Sequence, residues 1–377
     1  MTTHVNTIRA PQSSREGLVT PAFVALGLAD LGYFTALGVT MYTLPFYVTG
    51  PVGSTTSGAG FAFGAFAVTA LVCRPVAGRL ADVLGRRPLL TGGALLCGLA
   101  LVLMPHVDGL AWVVVLRLMQ GVAEASFFVA SFAAVADLAP PSRMGEALSY
   151  NSLGLYLGIT FGPPLGELLL DHGSFALAWY GAAGLAVAAA VVARSIGETR
   201  PADGLARESG GFIHRPAIPA SLGFMTSVVA MGGFLALASL HASDAGLSNA
   251  SLALSVYGCV VVGCRLAFAK VPDRLPSLPL GAAALVTIAA GLSTMALSHT
   301  PTGLIGGAVL MALGSPSAHR RSSPRSSRPH HRQSVEPRPP RRAWPSTWES
   351  VPARWSSGWS RSRWASRGLS LWARVSP

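Results

Sequence analysis

Asp30 is the only charged residue between Pro21 and Val48. A carboxylate is costly in so apolar a stretch. An acid placed there suits reversible proton uptake, or the holding of a cationic group. Tyr33 and Phe34 follow one helical turn later on the same side. A structural ion pair with Arg74 or Arg117 is the alternative use of Asp30. The second constellation is "RLMQG", Arg117–Gly121, well inside an apolar run over 110–136. Gln120 lies one turn after the arginine, and Glu124 two turns after it on the same face. An arginine at that depth must face a cavity or a partner. Arg117, Gln120 and Glu124 therefore read as a shared polar pocket or as a structural ion pair.

Two further patterns involve conformation rather than proton chemistry. "GRLADVLGRRPLL" packs Asp82 and three arginines between apolar runs, with Gly78 and Gly85 flanking the acid. The glycines permit a tight turn and close helix approach. Asp82 can cap the following helical turn or pair with Arg86 and Arg87 as a latch. The alternative is that these charges only hold orientation. The other pattern is "GLYLGITFGPPLG", where Gly154, Gly158 and Gly162 recur every fourth position and Pro163 and Gly166 follow. Small residues at that spacing make one flat helix face, and Pro163 removes a backbone donor and bends the helix. Ordinary small-residue packing would explain the glycines alone. Glu167 follows the last glycine.

No phosphate-cradling glycine loop, metal-ligand cluster or nucleophile arrangement stands out, so no cofactor, metal or catalytic activity is expected. His106, His172 and His241 read as solvated residues of loops. Cys73, Cys97, Cys259 and Cys264 lack ligand-like spacing and read as small buried hydrophobes.

The elements that must position these residues are helices in a bilayer. The chain has 377 residues, 51% hydrophobic and 12% charged, against about 25% charged for a soluble domain. Apolar runs begin near residues 21, 56, 88, 110, 148, 173, 216, 245, 275 and 300, the last ending at 314. Crossing the hydrocarbon takes roughly 20 apolar residues as a helix, so ten spans are expected, the tenth cut short. Residues 1–19 are polar, and the first apolar run is too long for a cleaved signal. Arg and Lys alternate by turn. They occur before the first span and after the second, fourth, sixth and eighth, and are missing from loops near 49–55, 106–109, 171–174, 241–247 and 298–301. This alternation predicts a multi-pass cell-membrane protein with a cytoplasmic N-terminus.

The expected organisation is a cytoplasmic segment 1–20, a six-helix bundle 21–193, a linker 194–215, a partial second bundle 216–314 and a tail 315–377. "CRPVAGRLAD" (Cys73–Asp82) and "CRLAFAKVPD" (Cys264–Asp273) repeat Cys, Arg, a basic residue and Asp at the same spacing, as parallel-repeat transporters do. The tail carries 13 Arg, 6 of the 8 Trp and two acids, and supplies +11 of the +12 net charge. Nucleic-acid binding and a disordered arm drawn to anionic lipid are two readings of it. A shifted reading frame is the one favoured. In a GC-rich gene, one register over, Ala343–Trp364 becomes an unbroken Ala/Val/Gly stretch with one Asp at position 347, a membrane helix where an eleventh belongs. No nucleic-acid partner is expected.

Together these residues resemble the major facilitator superfamily. Gly78, Leu80, Asp82, Gly85, Arg86 and Arg87 are similar to its G-x-L-x-D-x-x-G-R-R/K signature, with Val83 where many members have a further basic residue. Arg117, Gln120 and Gly121 are similar to its R-x-x-Q-G, and Asp137 ends that span where the family often has an acid that joins the latch with Asp82 and Arg86. Gly154–Gly166 is similar to the motif of its exporter branch, from which Glu167 departs. The resemblance implies an all-α fold of two pseudo-symmetric six-helix bundles, the second incomplete here, around a cavity open alternately to each side. It further implies a monomer that exports a small amphipathic drug or metabolite against protons. Asp30, Tyr33, Arg117, Gln120 and Glu124 would line the proton and substrate pathway. A sugar or metabolite importer of the same fold, or an inactive truncated product, is the alternative.

Overall fold

The computed structural model describes residues 18, 20–140, 143–200, 218–267, 277–298 and 300–318. Among them are ten α-helices: α1 (Pro21–Thr49), α2 (Thr56–Leu84), α3 (Arg86–Leu103), α4 (Leu110–Leu138), α5 (Met144–Asp171), α6 (Phe175–Ser195), α7 (Ile218–Asp244), α8 (Leu252–Ala267), α9 (Ser277–Leu297) and α10 (Pro301–Ala318). Six of these, α1 to α6 (α3 with the short helical turn that continues it to His106), are long and apolar enough to cross a membrane. Arg9, Arg15, most of the linker, Lys270, Asp273, Arg274 and the tail from 319 lie outside the described residues.

Local chemistry starts the helices. Thr20 accepts from the Phe23 N–H at 3.2 Å, with Pro21 at the first helical position, where its missing N–H costs nothing. Thr55 caps α2 through Gly58 and Ser174 caps α6 through Leu177. Within the first six helices α1 packs on α5 and α6, α2 on α4, and α3 on α4 and α6. In the following four, α10 packs on α9 and α8, and α5 against α8 joins the two groups. Alanine and glycine fill the contacts because lipid tails supply no hydrophobic drive, and close backbone approach gains dispersion contacts instead. Val68 and Val72 on α2 are 62% and 66% exposed, as lipid-facing positions should be.

Five sequence expectations change. The Gly78–Leu84 stretch is the last part of α2, not a turn, because an unbroken helix satisfies its backbone. The turn is Gly85 alone, at φ +101°. Span eight begins at Leu252, since Ala245–Ser251 form a turn around Gly246 at φ +76°. The tenth helix runs to Ala318, and its 18 residues rise about 27 Å. His241 lies in α7, its ring nitrogen 3.1 Å from the Met295 carbonyl, and is half-buried rather than solvated. Of the cysteines only Cys97 is buried, while Cys259 is exposed on α8.

Candidate functional site

α5 is the wall on which the site is built, because two of its faces meet different partners. Gly154, Gly158, Gly162 and Gly166 face α1. A Cβ on Gly162 would stand 2.5 Å from the Gly38 Cα, and one on Gly158 would stand 2.5 Å from the Phe34 carbonyl carbon. Only hydrogen fits there. Pro163 lies in the same seam, its Cδ 3.2 Å from where a Gly38 Cβ would be. Ser152, Tyr156, Thr160 and Glu167 look the other way, toward α8.

The glycine face carries Asp30. Where Gly154 lets α5 approach, a Cβ would come 3.0 Å from that of Asp30. Asp30 is fully buried. Its Oδ2 accepts from the Ser131 hydroxyl of α4 at 2.9 Å, and Ser131 accepts from Asn151 Nδ2 of α5 at 3.1 Å. Oδ1 has no hydrogen-bond partner, and among the described residues no cation pairs with Asp30. Neither Arg74 nor Arg117 plays the structural role considered for them. A carboxyl group so placed has one oxygen open to a proton or to a donor. Tyr33, also fully buried, stacks on Phe127 with ring centroids 4.0 Å apart, and Phe34 meets both rings edge-on.

Arg117 and Glu124 do not share a partner. Arg117 donates to the Ala62 carbonyl of α2 at 3.4 Å and to Gln120 Oε1, and lies over the rings of Phe63 and Phe66. Glu124 instead pairs with Arg74 of α2 at 3.1 Å. The shared helix face was legible, but α2 packs along α4 and offers each charge its own nearest group.

At the other end of α2, Arg86 gathers the signature. Its Nε meets Asp137 at 2.9 Å, and its Nη1 meets Asp82 at 3.1 Å and the Ala81 carbonyl at 2.7 Å. Asp82 thus pairs rather than caps. The cap of α3 is Glu198, beyond α6, whose carboxylate accepts from the Arg86 and Arg87 N–H groups at 2.8 and 3.3 Å. A Cβ on Gly85 would collide with that carboxylate. Arg200 completes the tie by donating to the Asp82 and Val83 carbonyls. Burial alone would push Glu198 up, but the N–H donors of Arg86, Arg200 and Arg87 and the Arg200 charge hold it below the usual glutamate value. Neither Glu198 nor Arg200 stood out as a site residue in the sequence; an acid directly after the sixth span was the available signal.

The α8 face was missed as well. Glu167 Oε1 accepts from the Ala250 N–H at 2.7 Å and from the Tyr42 hydroxyl of α1 at 3.1 Å. Its other oxygen takes the Ser251 N–H at 3.3 Å and the Ser251 hydroxyl. One carboxylate thus joins α5, α1 and the start of α8, at the end opposite the basic turns. Lower in the seam, Arg265 of α8 donates to Ser152 Oγ and to the Tyr156 hydroxyl, both at 3.0 Å, and stacks 4.3 Å over the Tyr156 ring.

The sequence model of the Major Facilitator Superfamily matches residues 25–319. The chain belongs to this superfamily. It is a secondary transporter, a multi-pass membrane protein. An uncharacterised MFS-type transporter of Salmonella typhimurium (strain LT2) is 26% identical to it over 303 residues, 74% of each chain. Another, of Burkholderia mallei (strain SAVP1), is 25% identical over 291 residues, 74% of this chain and 71% of its own. Among solved structures, a bacterial homologue of the human lysosomal transporter Spinster, inward-facing and unoccupied, superposes with a TM-score of 0.62 at 14% identity. The match covers 79% of this transporter and 72% of that chain. A point mutant of the nucleoside transporter NupG gives 0.63 at 12% identity, over 79% and 80%. At such identities these structures show the fold, two bundles about a central seam.

Proposed function

We propose that this transporter exports a small amphipathic molecule across the cell membrane in exchange for protons, as a monomer with its N-terminus and basic turns in the cytoplasm. Asp30 carries the reading. It is an ionisable group buried at bilayer depth and hydrogen-bonded to the neutral Ser131, with Oδ1 unpartnered and no cation paired with it among the described residues. Such a group is a default candidate for proton binding.

In this mechanism Asp30 holds the transported proton and Ser131 orients its carboxyl. The glycine seam between α1 and α5 lets a change at Asp30 act on α5 without a compressible side chain between them. α5 carries the change to α8 through Ser152 and Tyr156. Glu167 closes the seam at the outer end, and the Arg86, Asp82, Asp137 and Glu198 cluster braces the inner end of the first six helices. The orientation follows from the excess of Arg and Lys on one set of turns, and the outward direction from the exporter-like pattern of α5.

Drug-sensitivity profiling of cells expressing the gene, joined to a pH-gradient assay in proteoliposomes, tests this. Resistance to at least one amphipathic compound is expected, with release of protons from acid-loaded vesicles when that compound is added. Heightened sensitivity, or flux indifferent to the proton gradient, would refute it.

A further inference from the structure

Arg265 lies 13 positions after the start of the apolar helix α8, about 20 Å along it, less than a hydrocarbon core of roughly 30 Å. A guanidinium at that depth must find a partner or line a cavity. The other arginines show what satisfaction looks like. Arg74, at the matching place of the internal repeat, pairs with Glu124, and Arg86 pairs with two aspartates. Arg117 lacks an acid but is 2% exposed, sealed by a carbonyl, Gln120 and two aromatic rings.

Arg265 fits neither pattern. It is half-buried, in the seam between the two groups of helices, and no carboxylate pairs with it among the described residues. Its acceptors are two neutral hydroxyls, and its buried Nε–H has no partner; Arg74 and Arg87 share that orphaned Nε, but Arg74 has the Glu124 carboxylate on its Nη2 and Arg265 has only hydroxyls. An orphaned buried donor on a charged group is expensive. The planar guanidinium fork matches the two oxygens of a carboxylate or sulfonate better than it matches isolated hydroxyls. The seam beside it is aromatic and aliphatic: Tyr156, whose ring Arg265 overlies, belongs with Ile159, Phe234 and Tyr257 to one buried cluster.

We propose that Arg265 is the anchor for an oxyanion on the transported solute, and that the substrate class is amphipathic organic acids. The oxyanion displaces Ser152 and Tyr156 from the guanidinium, and the apolar body lies on the aromatic seam. This rests on the transport reading above and narrows its substrate.

The test uses three molecules of one shape: p-toluenesulfonate, p-toluenesulfonamide and benzyltrimethylammonium. Each is added to the purified full chain in detergent and affinity is read from the shift in thermal unfolding. The sulfonate should stabilise the wild type, while the neutral and cationic molecules should not. R265Q should weaken sulfonate binding roughly tenfold to a hundredfold, the scale of a charged hydrogen bond, and R265K should recover part of it. Preference of the wild type for the cation overturns the assignment even if R265Q fails to fold. So does equal sulfonate affinity in wild type and R265Q, or no shift with any of the three. Proton flux in proteoliposomes is the separate readout. Sulfonate binding through Arg265 without proton-linked flux upholds the anchor and removes the coupling reading, whereas proton-linked flux of the cation does the reverse.

Discussion

Asn151 and Ser152 are consecutive residues of α5 whose side chains bond in opposite directions. Asn151 donates at 3.1 Å to Ser131, which itself donates to Asp30, while Ser152 accepts at 3.0 Å from Arg265 across the seam. One peptide unit therefore separates the surroundings of the buried acid from those of the half-buried cation. Any rotation of α5 that relaxes one contact moves the other. Under the proposed mechanism this relation would link the proton site to the solute anchor, since coupling is a free energy shared by two sites and is reciprocal.

Asp30→Asn keeps the shape of the side chain and removes its proton chemistry. The variant is expected to fold with an unfolding midpoint near that of the wild type, because the uncharged amide still accepts from Ser131. Proton-driven flux should fall to the level of empty vesicles, while exchange of solute for solute persists. Flux measured with and without an imposed pH gradient checks this, and gradient-driven transport by the variant would remove Asp30 from the proton path.

Gly162→Ala and Gly158→Ala test the α1–α5 seam. The added Cβ would stand 2.5 Å from backbone atoms of α1, which cannot swing aside as a side chain can. Overpacking of this kind costs about 1–3 kcal/mol. A lower Tm in detergent and a lower yield of folded protein are expected for both. Gly60→Ala on α2 is the control, because nothing lies within 4 Å of its added Cβ, and it should leave Tm unchanged.

The residues that the sequence singled out share a property: their signal lies within one helix. Asp30 stands out because its own span has no other charge, and the fourfold glycine spacing of α5 shows in the sequence alone. Partners chosen across the fold were not legible. Glu124 and Arg117 lie on one face, yet α2 gives Glu124 to Arg74, since periodicity reports a face and not the rotation of the neighbour. Glu198 is 112 positions from the N–H of Arg86. Glu167 registered only as a departure from a glycine pattern, and Arg265 only as a letter in a repeat. Their acceptors and donors belong to other helices, and inter-helix register is set by packing.

Glu167→Ala removes the single acceptor shared by Ala250, Ser251 and Tyr42. Loss of a charged acceptor that leaves its donors unpaired costs about 1–3 kcal/mol, so Tm should fall by several degrees. Glu167→Gln keeps an acceptor oxygen without the charge and should fall between alanine and wild type. Thermal unfolding of the three proteins decides it. Equal midpoints would mean that the seam at this end is held by its apolar contacts alone.

The tie at the other end carries its own pH dependence. The Glu198 carboxyl, ordinarily 4.5, is lowered in the folded chain by N–H donors from Arg86, Arg200 and Arg87 that outweigh its burial. A group with a depressed folded value contributes its stabilisation in full above the ordinary value and loses it as pH falls through the folded one. The cap on α3 should therefore be intact at neutral pH and released only under distinctly acidic conditions. Hydrogen exchange at the Arg86 and Arg87 amides, corrected for intrinsic rates, reads this directly. Protection should be constant from pH 7 down to about 5 and then decline. Glu198→Gln should show weaker protection at pH 7 and no such decline, because its amide oxygen accepts without titrating. Protection that vanishes between pH 7 and 6 would assign the cap to a group other than this carboxylate.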